Sequence, residues 1–229
     1  MRHLSIITAI VFLATFWMIC TDAGRAVAQS QEPPRTTQKP GSAGKSMGGD
    51  ESAECKLRED MRKLWSDHVI WTRSYIVAAV DDAPDQEAAA RRLLKNQEDI
   101  GKAIVPFYGK EAGDKLTTLL KEHITISVDL IKAAKAHDQN KVREIDQKWR
   151  KNGDDIADFL SEANPNWPRA TLADMMKMHL STTTDELMAR LDKKWDKDVK
   201  AFDDVYEHIL RMSDALADGI IKQFPDKFS

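Results

Sequence analysis

The chain is expected to be all-α: a helical bundle of six helices arranged as three tandem αα-hairpin repeats. Three observations lead there. Apolar residues recur at spacings of three and four, with no alternating strand-like runs. Proline, glycine and Asp/Asn pairs cut that pattern into six segments. One apolar lead-in ending in histidine occurs three times, as Met61-x-x-Leu64-Trp65-x-x-His68-Val69, Leu116-x-x-Leu119-Leu120-x-x-His123-Ile124 and Leu172-x-x-Met175-Met176-x-x-His179-Leu180, at steps of 55 and 56 residues. A period of that length indicates one supersecondary unit used repeatedly.

The amino terminus comes first. Met1-Arg2-His3 is a short positive start, Leu4 to Cys20 is apolar, and Ala26-Val27-Ala28 precedes Gln29. This is the pattern of a signal peptide over residues 1–28, which implies an exported protein, periplasmic or secreted. The apolar run is short of the roughly 20 residues a helical span needs, so no stable membrane span is expected after cleavage. Residues 29–51, with Pro33-Pro34 and Lys39-Pro40-Gly41-Ser42, have few apolar side chains to offset ordering entropy and are expected to be a disordered linker. The helical bundle domain occupies residues 52–229. Cys55, the one cysteine beyond the signal, has no intramolecular partner there.

Within the domain, the first helix is expected from Ser52 to Val80, stopping at Asp81-Asp82-Ala83-Pro84. The second starts at Pro84-Asp85 and ends before Pro106, with Tyr108-Gly109 as the turn. The third covers Lys110 to Ala136, and the fourth Asn140 to Glu162, ending at Asn164-Pro165-Asn166. The fifth starts near Pro168, and the sixth runs from Asp192 to Gln223, before Pro225. Short connections make successive helices antiparallel neighbours.

Composition narrows function mainly by exclusion. The net charge is −3 with both signs interspersed, and no basic stripe is present, so a nucleic-acid partner is not expected. No nucleophile elbow, phosphate-binding glycine loop or Cys-x-x-Cys occurs, so no motif names a reaction.

The histidines are more informative. At about 100° per residue, His68 falls inside the arc of Met61, Leu64, Trp65, Tyr75 and Ile76; His123 inside that of Leu116, Leu119, Leu120 and Leu130; and His179 inside that of Leu172, Met175, Met176 and Thr183. All three should face the core. A second series lies between them: Asn96 between Leu93 and Ile100, Asn152 between Trp149 and Ile156, and His208 at the edge of the Val205, Ile209, Met212 stripe. Asp99, Asp155 and Asp204 fall at the edges of the same arcs.

Buried polar groups must find partners, and equivalent positions on neighbouring helices are suited to find one another. The expected centre is a transition-metal site, for zinc, copper or iron. His68, His123 and His179 would be ligands, joined by His208 or by Asp99, Asp155 and Asp204, with Asn96 and Asn152 beside them. Two alternatives stay open: a structural or interaction protein with a buried His/Asn polar network, and a pocket for a small polar ligand lined by Trp65, Trp71, Tyr75, Trp149 and Tyr206. Met175 and Met176 fit the apolar stripe as core residues.

The stretch Arg92-Leu93-Leu94-Lys95-Asn96-Gln97-Glu98-Asp99-Ile100-Gly101, then Pro106-Phe107-Tyr108-Gly109 and Leu119-Leu120-Lys121-Glu122-His123-Ile124, resembles a family of exported bacterial all-helical proteins. His68-Val69-Ile70-Trp71-Thr72-Arg73, Asn164-Pro165-Asn166-Trp167 and Gly219-Ile220-Ile221-Lys222-Gln223-Phe224-Pro225 belong to the same resemblance. Some members carry a glycosyltransferase label. The resemblance implies the helical fold over nearly the whole domain and carries no catalytic residues onto this chain, whose helical pattern leaves no place for a parallel sheet.

Overall fold

The computed structural model describes residues 52–228, so the expected signal peptide and linker lie outside the described residues. The described chain is all helix: α1 (Ala53–Val80), α2 (Gln86–Lys135), α3 (Gln139–Ala163), α4 (Arg169–Leu191) and α5 (Trp195–Gln223), then a short 3₁₀ turn at Pro225–Lys227. Among the described residues no helix is long and apolar enough to cross a membrane. Ser52 caps α1 by accepting from the Cys55 N–H, and Asp138 caps α3 by accepting from the Lys141 N–H.

Five helices stand where the punctuation predicted six. The difference is at Gly109, a non-helical kink across which the expected second and third helices follow one another as the two limbs of α2. Gly109 sits at φ 82° and ψ 170°, a region open essentially only to glycine. The chain reverses there. Glu98 and Lys121 form an ion pair at 2.6 Å, whereas 23 residues of straight helix would hold them roughly 35 Å apart. The two limbs touch backbone to backbone, because a Cβ on Gly101 would lie 2.6 Å from the Gly113 carbonyl oxygen.

The helices close into a ring: α1 packs on α2 and α5, α2 on α3, α3 on α4, and α4 on α5. The larger apolar cluster gathers Met61, Trp65, Ile100, Leu119, Ile156, Leu172, Val205 and Ile209. A smaller one holds Ile76, Ile131 and Leu187. One end of the bundle is fastened by polar side chains. The Tyr108 hydroxyl donates to Gln223 and accepts from Asn164, while the Trp167 indole packs against Gly219, where a Cβ would be 1.8 Å from Nε1.

Three tight turns at the other end share one geometry. Asp82, His137 and Lys193 have φ of 53°, 57° and 55°, each fourteen residues beyond His68, His123 and His179. Just after them, the N–H groups of Ala83, Asp138 and Lys194 reach back to the carbonyls of Ala78, Ala133 and Ala189. This is the Schellman closure, whose left-handed position favours glycine. Lys193 is exposed and bears a Cβ at that position. Lys193→Gly is therefore expected to stabilise the fold by about 1 kcal/mol, read as an upward shift in the thermal midpoint; an unchanged or lower midpoint would count against the strain.

Candidate functional site

Four of the chain's six histidines meet inside the bundle. The His179 ring is the hub, with centroids 5.6 Å from His68, 6.0 Å from His123 and 6.4 Å from His208. All four are buried, and His179 is 4% exposed. The helical arcs place them there: each histidine lies on its helix's apolar stripe, and ring closure brings α1, α2, α4 and α5 around one axis.

The second series takes a different role in each pair. Asn96 donates its amide to the Leu64 carbonyl at 3.0 Å, Asn152 to the Leu119 carbonyl at 3.2 Å, and His208 Nε2 to the Met175 carbonyl at 2.8 Å. Each acceptor lies four residues before His68, His123 or His179. The second-series side chain therefore ties its helix to the turn that carries the facing histidine. Asn152 does more. With its amide nitrogen held by Leu119, its oxygen faces His123 Nδ1 at 2.8 Å and accepts the proton there. That fixes the tautomer and leaves the His123 Nε2 lone pair unused. His208 donates from Nε2, which leaves its Nδ1 lone pair.

His68 is held more loosely. Gln97 Nε2 donates to the Leu93 carbonyl at 2.8 Å and to Asn96 Oδ1 at 3.1 Å, and His68 Nδ1 is a third acceptor at 3.3 Å. His179 has less still, for its Nδ1 is buried with no hydrogen-bond partner. A buried orphan nitrogen is a costly feature that calls for an explanation.

A cavity of about 20 Å³ adjoins the rings. Three helices line it with matching layers: His68, His123 and His179, then Thr72, Ser127 and Thr183, then Ile76, Ile131 and Leu187. Thr72 and Thr183 direct their hydroxyl protons to the backbone carbonyls of His68 and His179, and Ser127 to that of Ile124. Trp149 borders the cavity too, 5.2 Å from the His123 ring. The volume suits one water or one ion and is too small for an organic ligand.

Burial keeps the rings uncharged. It pushes His68 down to about 3, assisted by His123, and His123 down to about 4. His179 is held well below the usual imidazole range by burial and by the other three rings, and burial lowers His208 as well. Neutral imidazole is the form that binds metals.

The structure does not bring the expected carboxylates to this centre. Asp99, Asp155 and Asp204 are 35%, 41% and 46% exposed, and each pairs with the lysine four residues before it: Lys95, Lys151 and Lys200. At the edge of its arc, each acid is reached by a neighbouring lysine and stays in solvent, which avoids the desolvation a ligand position would cost. Among the described residues, no group of three or more His, Cys, Asp or Glu side chains is placed to hold a metal ion. Of the aromatics expected near a pocket, Trp149 lines the cavity and Trp65 lies edge-on to His68, while Trp71 stacks under Arg92.

A second buried polar group was not anticipated. Arg73 of α1 pairs with Asp198 of α5 and, at 3.0 Å, with Glu186 of α4; Arg190 reaches Asp198 at 3.5 Å. Glu186 is 1% exposed and Asp198 2%. Burial pushes the Glu186 carboxyl up to about 7 despite Arg73, and its Oε2 has no partner. Asp198 was legible as an acid on the Ala201, Val205, Met212 stripe, but no local pattern marks Arg73 as its partner.

Two pH dependences follow. The histidines have folded pKa values below their unfolded value of roughly 6.5, so the unfolded chain binds more protons as pH falls. Their stabilising contribution is complete above that pH and is lost toward pH 4 and 3, at up to about 1.4 kcal/mol per pH unit for each ring. His123→Gln is expected to flatten the fall of the denaturation midpoint between pH 6 and 4; an unchanged slope would refute the assignment. Glu186 has the opposite sign, since its folded value lies above its unfolded one. Its ionisation destabilises the fold as pH rises from about 4.5 through 7, and Glu186→Gln is expected to remove that loss in the same measurement.

The comparisons with known proteins are negative: no known protein family, no characterised protein and no solved structure matches this chain.

Proposed function

We propose that this is an exported helical-bundle protein, built of three tandem αα-hairpins, that binds one transition-metal ion through its core-facing histidines. The observation that carries the reading is the His179 Nδ1 atom, buried without a partner in a ring whose centroid lies 5.6, 6.0 and 6.4 Å from those of His68, His123 and His208. The hairpin reading is supported by the three equal turns and by the three side-chain-to-carbonyl ties at one offset. In the metal reading, His123 and His179 are the first ligands and His68 the third. Asn152 acts as an orienting partner of the kind that fixes a ligating imidazole. The three aspartates take no part.

A structural reading has its own observation. Asn96, Asn152 and His208 all bond to backbone carbonyls, which is what a network selected to hold helices together would do. Elemental analysis separates the two. Mature protein purified without a polyhistidine tag is expected to carry close to one equivalent of zinc, copper or iron, and His179→Asn to carry none while keeping its helical circular dichroism. No metal in the wild type, with none of the three ions raising its thermal midpoint, would overturn metal binding in favour of the structural network.

A further inference from the structure

We infer that the outer face of α5, with the neighbouring turn of α1, is a docking surface for an amphipathic helix of a partner protein, one that carries basic residues beside its apolar stripe. The inference goes beyond the metal reading and stands apart from the histidine centre.

The sequence of α5 holds more apolar residues than its packing uses. Val205, Ile209, Met212 and Leu216 form the stripe buried in the bundle. A second stripe adjoins it: Trp195, Val199, Phe202 and Tyr206 follow at steps of four, three and four, the spacing of the a and d positions of a coiled-coil seam. This stripe faces outward. Trp195 is 50% and Val199 57% exposed, and on α1 Ile70 is 45% exposed. Ile70, Phe202 and Tyr206 line one groove of about 490 Å³ between the two helices. A contiguous apolar strip of this kind on a surface marks an interaction site rather than a scatter of exposed side chains.

The rings of the strip are held in place. Arg190 lies over the Trp195 ring, 4.9 Å from its centroid, and Arg73 over the Phe202 ring at 5.5 Å. Both arginines are tied to the buried Asp198, which gives each ring a fixed support. The Tyr206 hydroxyl shares a hydrogen bond with Ser66 of α1 at 3.1 Å, and the Tyr206 ring lies 6.1 Å from that of Phe202. Anchors already fixed in the free protein cost little entropy when a partner covers them, and tryptophan and tyrosine are the side chains that most often carry binding energy at interfaces.

Charge selects the partner. Asp203 and Glu207 line the groove, and at about 100° per residue Asp196 falls on the same edge of α5. Glu207 meets Arg211 only at 3.7 Å, and among the described residues Asp196 and Asp203 form no salt bridge. Lys200 is taken by Asp204. The acidic edge therefore lacks cations of its own, and lysines or arginines flanking the partner's stripe supply them. A second copy of this chain fits less well, because in an antiparallel two-fold pairing the acidic flank of one copy meets the same flank of the other. An anionic lipid surface meets that edge unfavourably too. The stripe from Trp195 to Tyr206 spans eleven residue steps, roughly 16 Å, so the partner helix needs about three turns in contact.

The experiment titrates the purified chain with two synthetic helical peptides of about three heptads, both with leucine at a and d, one with lysine and one with glutamate at e and g. The lysine peptide is expected to bind at one per chain, more weakly as salt is added, and the glutamate peptide not to bind. Trp195→Ala and Ile70→Ser, on different helices, should each weaken the lysine peptide by roughly tenfold or more with helical circular dichroism unchanged. Asp203→Lys should weaken it and lessen its salt dependence. Equal binding of both peptides would overturn the basic partner, and binding untouched by all three substitutions would place it elsewhere and overturn the surface. A chain that sediments alone as a dimer, and as a monomer after Trp195→Ala, would replace the partner with a second copy. Binding to zwitterionic lipid vesicles that is lost in the same variants would replace it with a lipid surface. No binding of either peptide would overturn the inference, and none of these outcomes bears on the metal content of the histidine centre.

Discussion

The structure turns on one constraint: four imidazoles packed into an apolar interior must stay uncharged and must still find hydrogen-bond partners. The Asn152 amide shows how this is met. One end donates to the Leu119 carbonyl and the other accepts from His123, so a single side chain satisfies a helix backbone and sets a ring's tautomer. Asn96 and His208 make the corresponding backbone contact with Leu64 and Met175. Removing any of these would leave a buried polar atom exposed to nothing, which costs more than the bond itself contributes. The helix register, and so the closure of the ring, depends on these contacts being made together.

The cluster is satisfied unevenly. His123 and His208 are fixed, His68 shares a donor with two stronger acceptors, and His179 has no partner at Nδ1. Here the hub is the ring left free, and it stands beside a cavity with room for a single small occupant. The rings are neutral, one oriented by an amide and one unencumbered.

The Arg73, Glu186, Asp198 and Arg190 cluster does different work. It joins α1, α4 and α5, and the aromatic rings of Phe202 and Trp195 lie against its two arginines. Buried ion pairs contribute less to stability than their distances suggest, because each charge gives up its hydration. Glu186, raised toward neutrality with one oxygen unpaired, is the member for which that compensation is least complete.

Much of this was legible from local pattern. The periodicity of three and four gave helices, and the arcs turned His68, His123, His179, Asn96, Asn152 and His208 inward, because the facing of a side chain follows from about 100° per residue and the apolar company it keeps. The equal steps between the histidines anticipated that their rings would meet. Tertiary structure decided the rest. At Gly109 the expected turn is present as a non-helical kink, and the helices on either side of it meet there as the two limbs of α2. Asp99, Asp155 and Asp204 lie at the edges of their arcs, and only the reach of Lys95, Lys151 and Lys200 settles that they remain outside. Gln97 meets His68, and Arg73 meets Asp198, across helices whose relative register no short stretch of sequence encodes. A residue's own helix fixes which way it points; what it touches is fixed by how distant helices slide and rotate against one another, and that is an outcome of packing the whole ring.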